Sequence, residues 1–263
     1  MHNMFSLSRR DGYVILAVFL ALGMLAAVAY ASHSWGNYHW ARTANPFTLK
    51  LGDNVSSAWD AYLSTSSTDW SLSTVLNTTV VAGVTNPKNC RPAKGRVEIC
   101  NSKYGNNGWL GVASIWANGD HIVQGTVKLN DTYFNTSKYN TSAWRNLVMC
   151  QEIGHTFGLD HQDEDFDNPS LGSCMDYTSD PVSNQHPNQH DYDQLEAIYA
   201  HLDSTTTINA SISKSPAGLD NFNVDDHSEW GRAVRQSKDG HSSLYEHDLG
   251  NGQKIFTFVL WAK

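Results

Sequence analysis

Charge is sparse in this 263-residue chain: Asp, Glu, Lys and Arg together make up 17% of it. No long block of Lys or Arg appears, and the net charge is −8. A nucleic-acid backbone selects for basic patches, so composition argues against a nucleic-acid partner. Cysteine is scarce too. There are four, Cys90, Cys100, Cys150 and Cys174, and no two stand in the C-x-x-C spacing of a zinc knuckle or a redox dithiol. Internal repeats and low-complexity tracts are absent, which argues against repeat architectures and unfolded tails. What is present is a hydrophobic fraction of 40%, that of a chain which folds around a core. The length leaves room for one ordinary domain and an extension.

Long apolar runs are lacking except near the N-terminus. Arg9 and Arg10 precede an apolar stretch over residues 13–31, which ends in Ala29-Tyr30-Ala31. Positive flank, apolar stretch and small-x-small ending describe a secretory signal peptide over residues 1–31. The stretch also approaches the ~20 residues that span a bilayer as a helix. Cleaved signal and uncleaved anchor therefore both stand. Either one carries the rest of the chain across the membrane, because Arg9 and Arg10 favour a cytoplasmic N-terminus. The expected location is extracytoplasmic, secreted or anchored, with membrane contact only through an uncleaved N-terminal segment. An oxidising compartment makes disulfides the default. Of the three pairings open to four cysteines, Cys90 with Cys100 closes a short loop.

Alternation over residues 47–51 reads as a strand, and Trp59, Tyr62 and Leu63 have helical spacing within a helix expected over 56–67. Residues 78–84, 96–100, 109–116 and 121–129 read as further strands between Gly- and Asn-rich turns. Trp144, Leu147, Val148, Gln151 and His155 form a helical stripe, which Gly158 terminates. A second helix is expected over 189–202, with Tyr192, Leu195, Ile198, Tyr199 and Leu202 as its apolar face. Residues 204–228 read as a linker or irregular loop, and 243–249 with 254–261 as a terminal β-hairpin.

The chemistry concentrates in Cys150-Gln151-Glu152-Ile153-Gly154-His155-Thr156-Phe157-Gly158-Leu159-Asp160-His161. Positions 151 and 155 lie one helical turn apart on one face, so both side chains can reach one metal ion. Glu152 is offset toward a water beside it. Gly158 lets the backbone break, and His161 can swing back as a third donor, leaving a fourth position open.

Glu152-x-x-His155-x-x-Gly158-x-x-His161 resembles the extended zinc motif of the metzincin metalloproteases, and Glu152-Ile153-Gly154-His155 is similar to the matrixins among them. Ser173-Cys174-Met175-Asp176-Tyr177 resembles the methionine turn of that family, and the helix around residues 191–199 its closing helix. The resemblance implies an α+β, zincin-like catalytic domain over residues 32–203. That domain has a mixed twisted sheet, an active-site helix, a Met-turn and a C-terminal helix, and residues 204–263 follow as a small β extension. It implies a zinc endopeptidase acting on an extended peptide or protein. Gln151, His155 and His161 would be the metal ligands, Glu152 the general base, and Met175 an apolar floor. Tyr177 would stabilise the oxyanion or act as an extra ligand, against a packing role of equal standing. Substrate would lie as an added strand along a sheet edge, with residues 121–129 as that edge. A Cys150–Cys174 bridge would tie the metal helix to the turn below it. Cys150 itself is unsuited as a ligand, since five residues turn a helix about 140° away from His155.

The departure is Gln151, where the family has histidine. A carboxamide oxygen is neutral and a poorer zinc donor than imidazole. Three outcomes stand: a weaker or differently tuned site, zinc held by His155 and His161 with extra water, or no zinc. Glu152, His155, Gly158, His161 and Met175 are all present, which favours an enzyme over an inactive peptide-binding module. Asp163, Glu164, Asp165 and Asp167 offer oxygen ligands for calcium, but without an EF-hand pattern a solvated loop is the plainer reading. His121, His186, His190 and His201 are scattered and read as surface or capping residues.

Overall fold

A computed structural model describes residues 33–209 and 222–262. The apolar stretch at 13–31, and with it the choice between signal and anchor, lies outside the described residues. Among the described residues no helix is long and apolar enough to cross a membrane.

The fold is α+β, built on one mixed sheet whose strands run in the order β3 (Leu76–Ala82), β2 (Phe47–Asn54), β4 (Arg96–Ser102), β6 (His121–Asn130), β5 (Trp109–Asn118), β9 (Gln253–Trp261), β8 (Ser242–Gly250) and β7 (Arg232–Gln236). Strand β2 (Phe47–Asn54) buries Phe47, Leu49 and Leu51 and turns Thr48 outward, the period-2 pattern of a sheet covered on one face. It pairs in parallel with β3 (Leu76–Ala82) and β4 (Arg96–Ser102). Helix α1 (Asp60–Trp70) makes the crossover between β2 and β3, as parallel neighbours require. Strand β1 (His39–Trp40) is short and lies parallel to the start of β6 (His121–Asn130). Helix α2 (Asp131–Phe134) is a single turn after β6, and α3 (Ser142–His155) and α4 (Gln189–Ile198) complete the helices.

Strands β5 (Trp109–Asn118) and β6 form a hairpin across residues 119–120, with Gly119 at φ +58°. A return turn this tight places β6 inside the sheet, between β5 and β4. Its apolar Ile122, Val127 and Leu129 and its polar Gln124, Thr126 and Lys128 are all buried, as an interior strand covered on both faces demands. The expectation that residues 121–129 form the sheet edge is therefore corrected. The outer side of β5 is not free either: β9 (Gln253–Trp261) pairs antiparallel with it from Asn118↔Gln253 to Trp109↔Trp261. Strands β8 (Ser242–Gly250) and β7 (Arg232–Gln236) follow as further antiparallel neighbours. The terminal hairpin thus forms, and it extends the same sheet.

Alternation in β9 explains this docking. Phe256, Phe258 and Leu260 enter the main core, where helices and sheet meet, together with Leu110, Ala113 and Ile115 of β5. Ile255 and Val259 point the other way, into a second core with Trp109, Val112, Trp116, Val224 and Trp230. Burial on both faces makes the β5–β9 pair an interior feature of the sheet.

Candidate functional site

Helix α3 starts at Thr141, whose side chain accepts the Trp144 N–H, a standard N-cap. From Leu147 to His155 every residue is buried. The last carbonyls of a helix lack i+4 partners; here the Thr156, Phe157 and Gly158 N–H groups donate to those of Ile153, Gly154 and His155, and three tryptophans add side-chain donors along the same helix end. The indole N–H groups of Trp70, Trp35 and Trp40 donate to the carbonyls of Cys150 (3.2 Å), His155 (3.1 Å) and Thr156 (2.8 Å). Gly154 sits over Met175, where a Cβ would come within 2.5 Å of the Met175 sulfur and 2.9 Å of Trp70. Gly158, at φ +99°, breaks the helix with its backbone against the Tyr38 carbonyl, a conformation suited to glycine. The chain then returns through His161.

The turn 173–177 beneath the helix is held from several sides. The Met175 N–H donates to Ser173 Oγ (2.9 Å), and the Ser173 hydroxyl donates to Asp191 on α4 (2.6 Å). A disulfide joins Cys150 to Cys174, and another joins Cys90 to Cys100. Both pairings match the expectation and are those an oxidising compartment favours.

The rings of His155 and His161 meet with centroids 4.5 Å apart, nearly perpendicular, and His161 packs on Tyr177 at 4.0 Å. His155 Nδ1 lies 2.9 Å from the Leu159 carbonyl. A carbonyl only accepts, so this nitrogen carries the proton and Nε2 keeps its lone pair, the tautomer of a metal ligand. Burial pushes the His155 imidazole well below its usual range, with His161 adding to the effect. Burial also lowers His161, against the pull of Asp160. Gln151, one turn earlier on α3, is 1% exposed, and its Oε1 has no hydrogen-bond partner. Glu152 is equally buried. Burial raises its carboxyl well above the usual range, and the Ala113 backbone of β5 draws it partly back. Its Oε2 is likewise unpartnered. Space for this carboxylate exists because position 111 is glycine: a Cβ there would lie 2.5 Å from Glu152 Oε1. Unpaired buried oxygens cost about 1–3 kcal/mol each. Imidazole nitrogen, an orphaned amide oxygen and an orphaned carboxylate oxygen, all from α3 and the turn after it, are donors of the kind a divalent cation takes.

The C-terminal strands roof these groups. Phe258 of β9 stacks on the His155 ring at 4.0 Å and 11°. Arg235 of β7 makes a bidentate pair with Asp160 and reaches Glu164 at 2.9 Å. The Tyr177 hydroxyl faces Ser242 of β8, and burial raises its pKa far above the usual value. An open acidic cleft of about 680 Å³ is lined by residues 163–167, Lys238 and Asp239. None of Gln151, Glu152, His155 or His161 lines it.

Sequence reasoning had no means of finding Phe258, Arg235 or Gly111, since each acts from a strand far along the chain. The acidic loop after His161 uses its carboxylates locally: Asp163 and Asp165 accept the N–H groups of Asp165 and Asp167. Among the described residues, groups of His, Asp and Glu with converging donor atoms include Glu164 but not Asp163, Asp165 or Asp167. This gives no support to calcium there. His186 is an exposed partner of Asp69, as expected of a surface residue. His190 stacks on buried His33. His121 and His201 do not stand apart at the surface; they converge with His39 on Asp203.

No family model and no curated protein matches the chain. Among solved structures it is similar to high choriolytic enzyme 1, a hatching-enzyme zinc protease from Oryzias latipes (medaka fish). The identity is 10%, over 63% of this chain and 96% of that one, with a TM-score of 0.34.

Proposed function

We propose that this chain is a zinc-dependent endopeptidase of the metzincin type whose cleft is closed, in this state, by its own C-terminal strands. The observation that carries the reading is the meeting of two buried imidazoles, His155 and His161, at the end of a helix on which Gln151 and Glu152 keep unpartnered buried oxygens. His155 and His161 would hold the metal through nitrogen, with Gln151 Oε1 as the weaker third donor. Zinc, when bound, supplies Lewis acidity toward a carbonyl and lowers the pKa of a water. Glu152 would take the proton of the attacking water and deliver it to the leaving amine. Met175 floors the site beneath Gly154. The Tyr177 hydroxyl, on the ring beside His161, would face the developing oxyanion once Ser242 moves away.

An extended peptide would pair with the outer side of β5, in the place that β9 now holds, through main-chain hydrogen bonds. Hydrolysis then requires β9 to part from β5. The test compares wild type with Glu152→Gln for zinc content and casein cleavage. Unchanged zinc with cleavage reduced more than about 100-fold is expected for loss of a general base. Equal turnover would remove Glu152 from that role. Stoichiometric zinc in a wild type that cleaves no member of a peptide library would favour a peptide-binding module instead. Gln151→His should tighten zinc binding about 10-fold or more if position 151 donates to the metal.

A further inference from the structure

Away from the candidate site, four side chains from three separate parts of the chain bring their donor atoms together. His39 on β1 and His121 at the start of β6 are register partners in adjacent parallel strands, so their side chains lie on the same face. His201 and Asp203 come from the segment after α4, which is held to β1 by the Asp203 N–H donating to the Arg42 carbonyl (2.9 Å). Asp203 Oδ2 accepts from Arg42, from the backbone N–H at 3.1 Å and from Nη1 at 2.8 Å. The other oxygen, Oδ1, faces three imidazoles. It lies 3.2 Å from His121 Nε2, 3.4 Å from His39 Nε2 and 3.6 Å from His201 Nε2. The Nε2 atoms of His39 and His201 are themselves 3.2 Å apart.

We propose that His39, His121, His201 and Asp203 form a structural site for a divalent metal ion, of the kind zinc fills. Two arguments support it. The first is geometric. Zinc binds imidazole nitrogen and carboxylate oxygen at about 2.0–2.2 Å in a tetrahedron, whose edges are then about 3.3–3.5 Å. The distances from Asp203 Oδ1 to the three Nε2 atoms and from His39 Nε2 to His201 Nε2, 3.2–3.6 Å, match four of the six edges. The His39 ring is nearly perpendicular to those of His121 (84°) and His201 (87°), so the three lone pairs approach from different directions. The second argument concerns protons. His39 Nδ1 lies 2.7 Å from the Asn37 carbonyl, which fixes the proton there and leaves a lone pair on Nε2 in the neutral ring. That lone pair faces a carboxylate oxygen and another imidazole nitrogen. A cation at the centre turns these opposed donors into ligands, and Arg42 and Asn37 supply the outer hydrogen bonds that orient metal-bound groups. His39 Nε2, His121 Nε2 and Asp203 Oδ1 converge, and His201 Nε2 lies within reach of two of them, so protein groups supply the donors, as in sites that hold structure. The ion would staple β1, the start of β6 and the chain after α4.

The proposal does not depend on the peptidase reading. The test uses the full chain, stripped by chelator and dialysed against zinc, with bound zinc per chain measured by atomic absorption. His121→Ala/His201→Ala removes the two donors whose side chains are most exposed, 37% and 56%, and circular dichroism checks that the fold survives. Wild type should hold one zinc equivalent more than this variant. Added zinc should raise the melting temperature of wild type by several degrees more than that of the variant. The difference between their cobalt(II) spectra should show the visible absorption of a tetrahedral site. Equal zinc content and equal thermal response in the two proteins would overturn the site and leave the cluster as imidazoles hydrogen-bonded around Asp203.

Discussion

At the residue scale, most of the candidate site depends on where a side chain is missing. Gly154 admits Met175 beneath the helix, Gly111 admits the Glu152 carboxylate, and Gly158 turns the chain so that His161 comes back toward His155. Of the three, Gly158 is the least replaceable. Its φ of +99° strains any L side chain, and a Cβ would lie 2.5 Å from a backbone oxygen, which has no rotamer to relieve the clash. Gly158→Ala should cost about 2–3 kcal/mol in urea denaturation and weaken zinc binding, because the two imidazoles meet through that turn. A loss under about 0.5 kcal/mol would mean that the backbone relaxes at no cost.

At the scale of elements, the N-terminus of α4 holds the turn 173–177 in place through Asp191. Asn188 and Asp191 form a capping box, and Asp191 also accepts the Ser173 hydroxyl. Burial pushes the Asp191 carboxyl up to about 6, above the ordinary value of about 3.9. A raised pKa favours the protonated form in the folded state. Its contribution is therefore complete below about pH 4 and is lost as pH rises through about 6. Two pKa units correspond to about 3 kcal/mol. The stability advantage of wild type over Asp191→Asn should shrink by about that amount between pH 4 and pH 7.5. A pH-independent difference, followed by urea melts, would show that the carboxyl titrates as it does in the unfolded chain.

At the scale of the whole molecule, β9 holds the side of β5 that the proposed peptide substrate would need. Strand β9 contributes Phe258 over His155 and buries both of its faces, so the closed form is held by two cores and by the Arg235–Asp160 pair. Locking it tests whether it regulates the site. Ser114 and Thr257 are register partners with hydroxyls 3.5 Å apart, and cross-strand partners have a Cα spacing that a disulfide can bridge. Ser114→Cys/Thr257→Cys, once oxidised, should cleave casein at least about 10-fold more slowly than the same protein mildly reduced. Wild type under the same reductant serves as control for Cys150–Cys174. Equal cleavage in the locked and reduced forms would mean that substrate enters without displacing β9.

Local spacing was sufficient for what lies within a few turns of one helix. The stripe that ends at His155, the break at Gly158, the return to His161 and the proximity of Cys150 to Cys174 follow from periodicity and from one motif, because short-range geometry depends little on the rest of the chain. Seven strands were legible by local pattern, with boundaries moved by a few residues where pairing overrode propensity, as in β3; the short β1 and the exposed β7 were not. Their order was not. Which strand is interior depends on what covers each face, and β9 covers β5 from more than a hundred residues away. The histidines show the same limit: His39, His121 and His201 carry no ligand spacing, and only the pairing of β1 with β6 and the docking of the chain after α4 bring them to Asp203. Contacts between distant segments are selected by the summed burial of whole elements, a quantity that no short window of sequence contains.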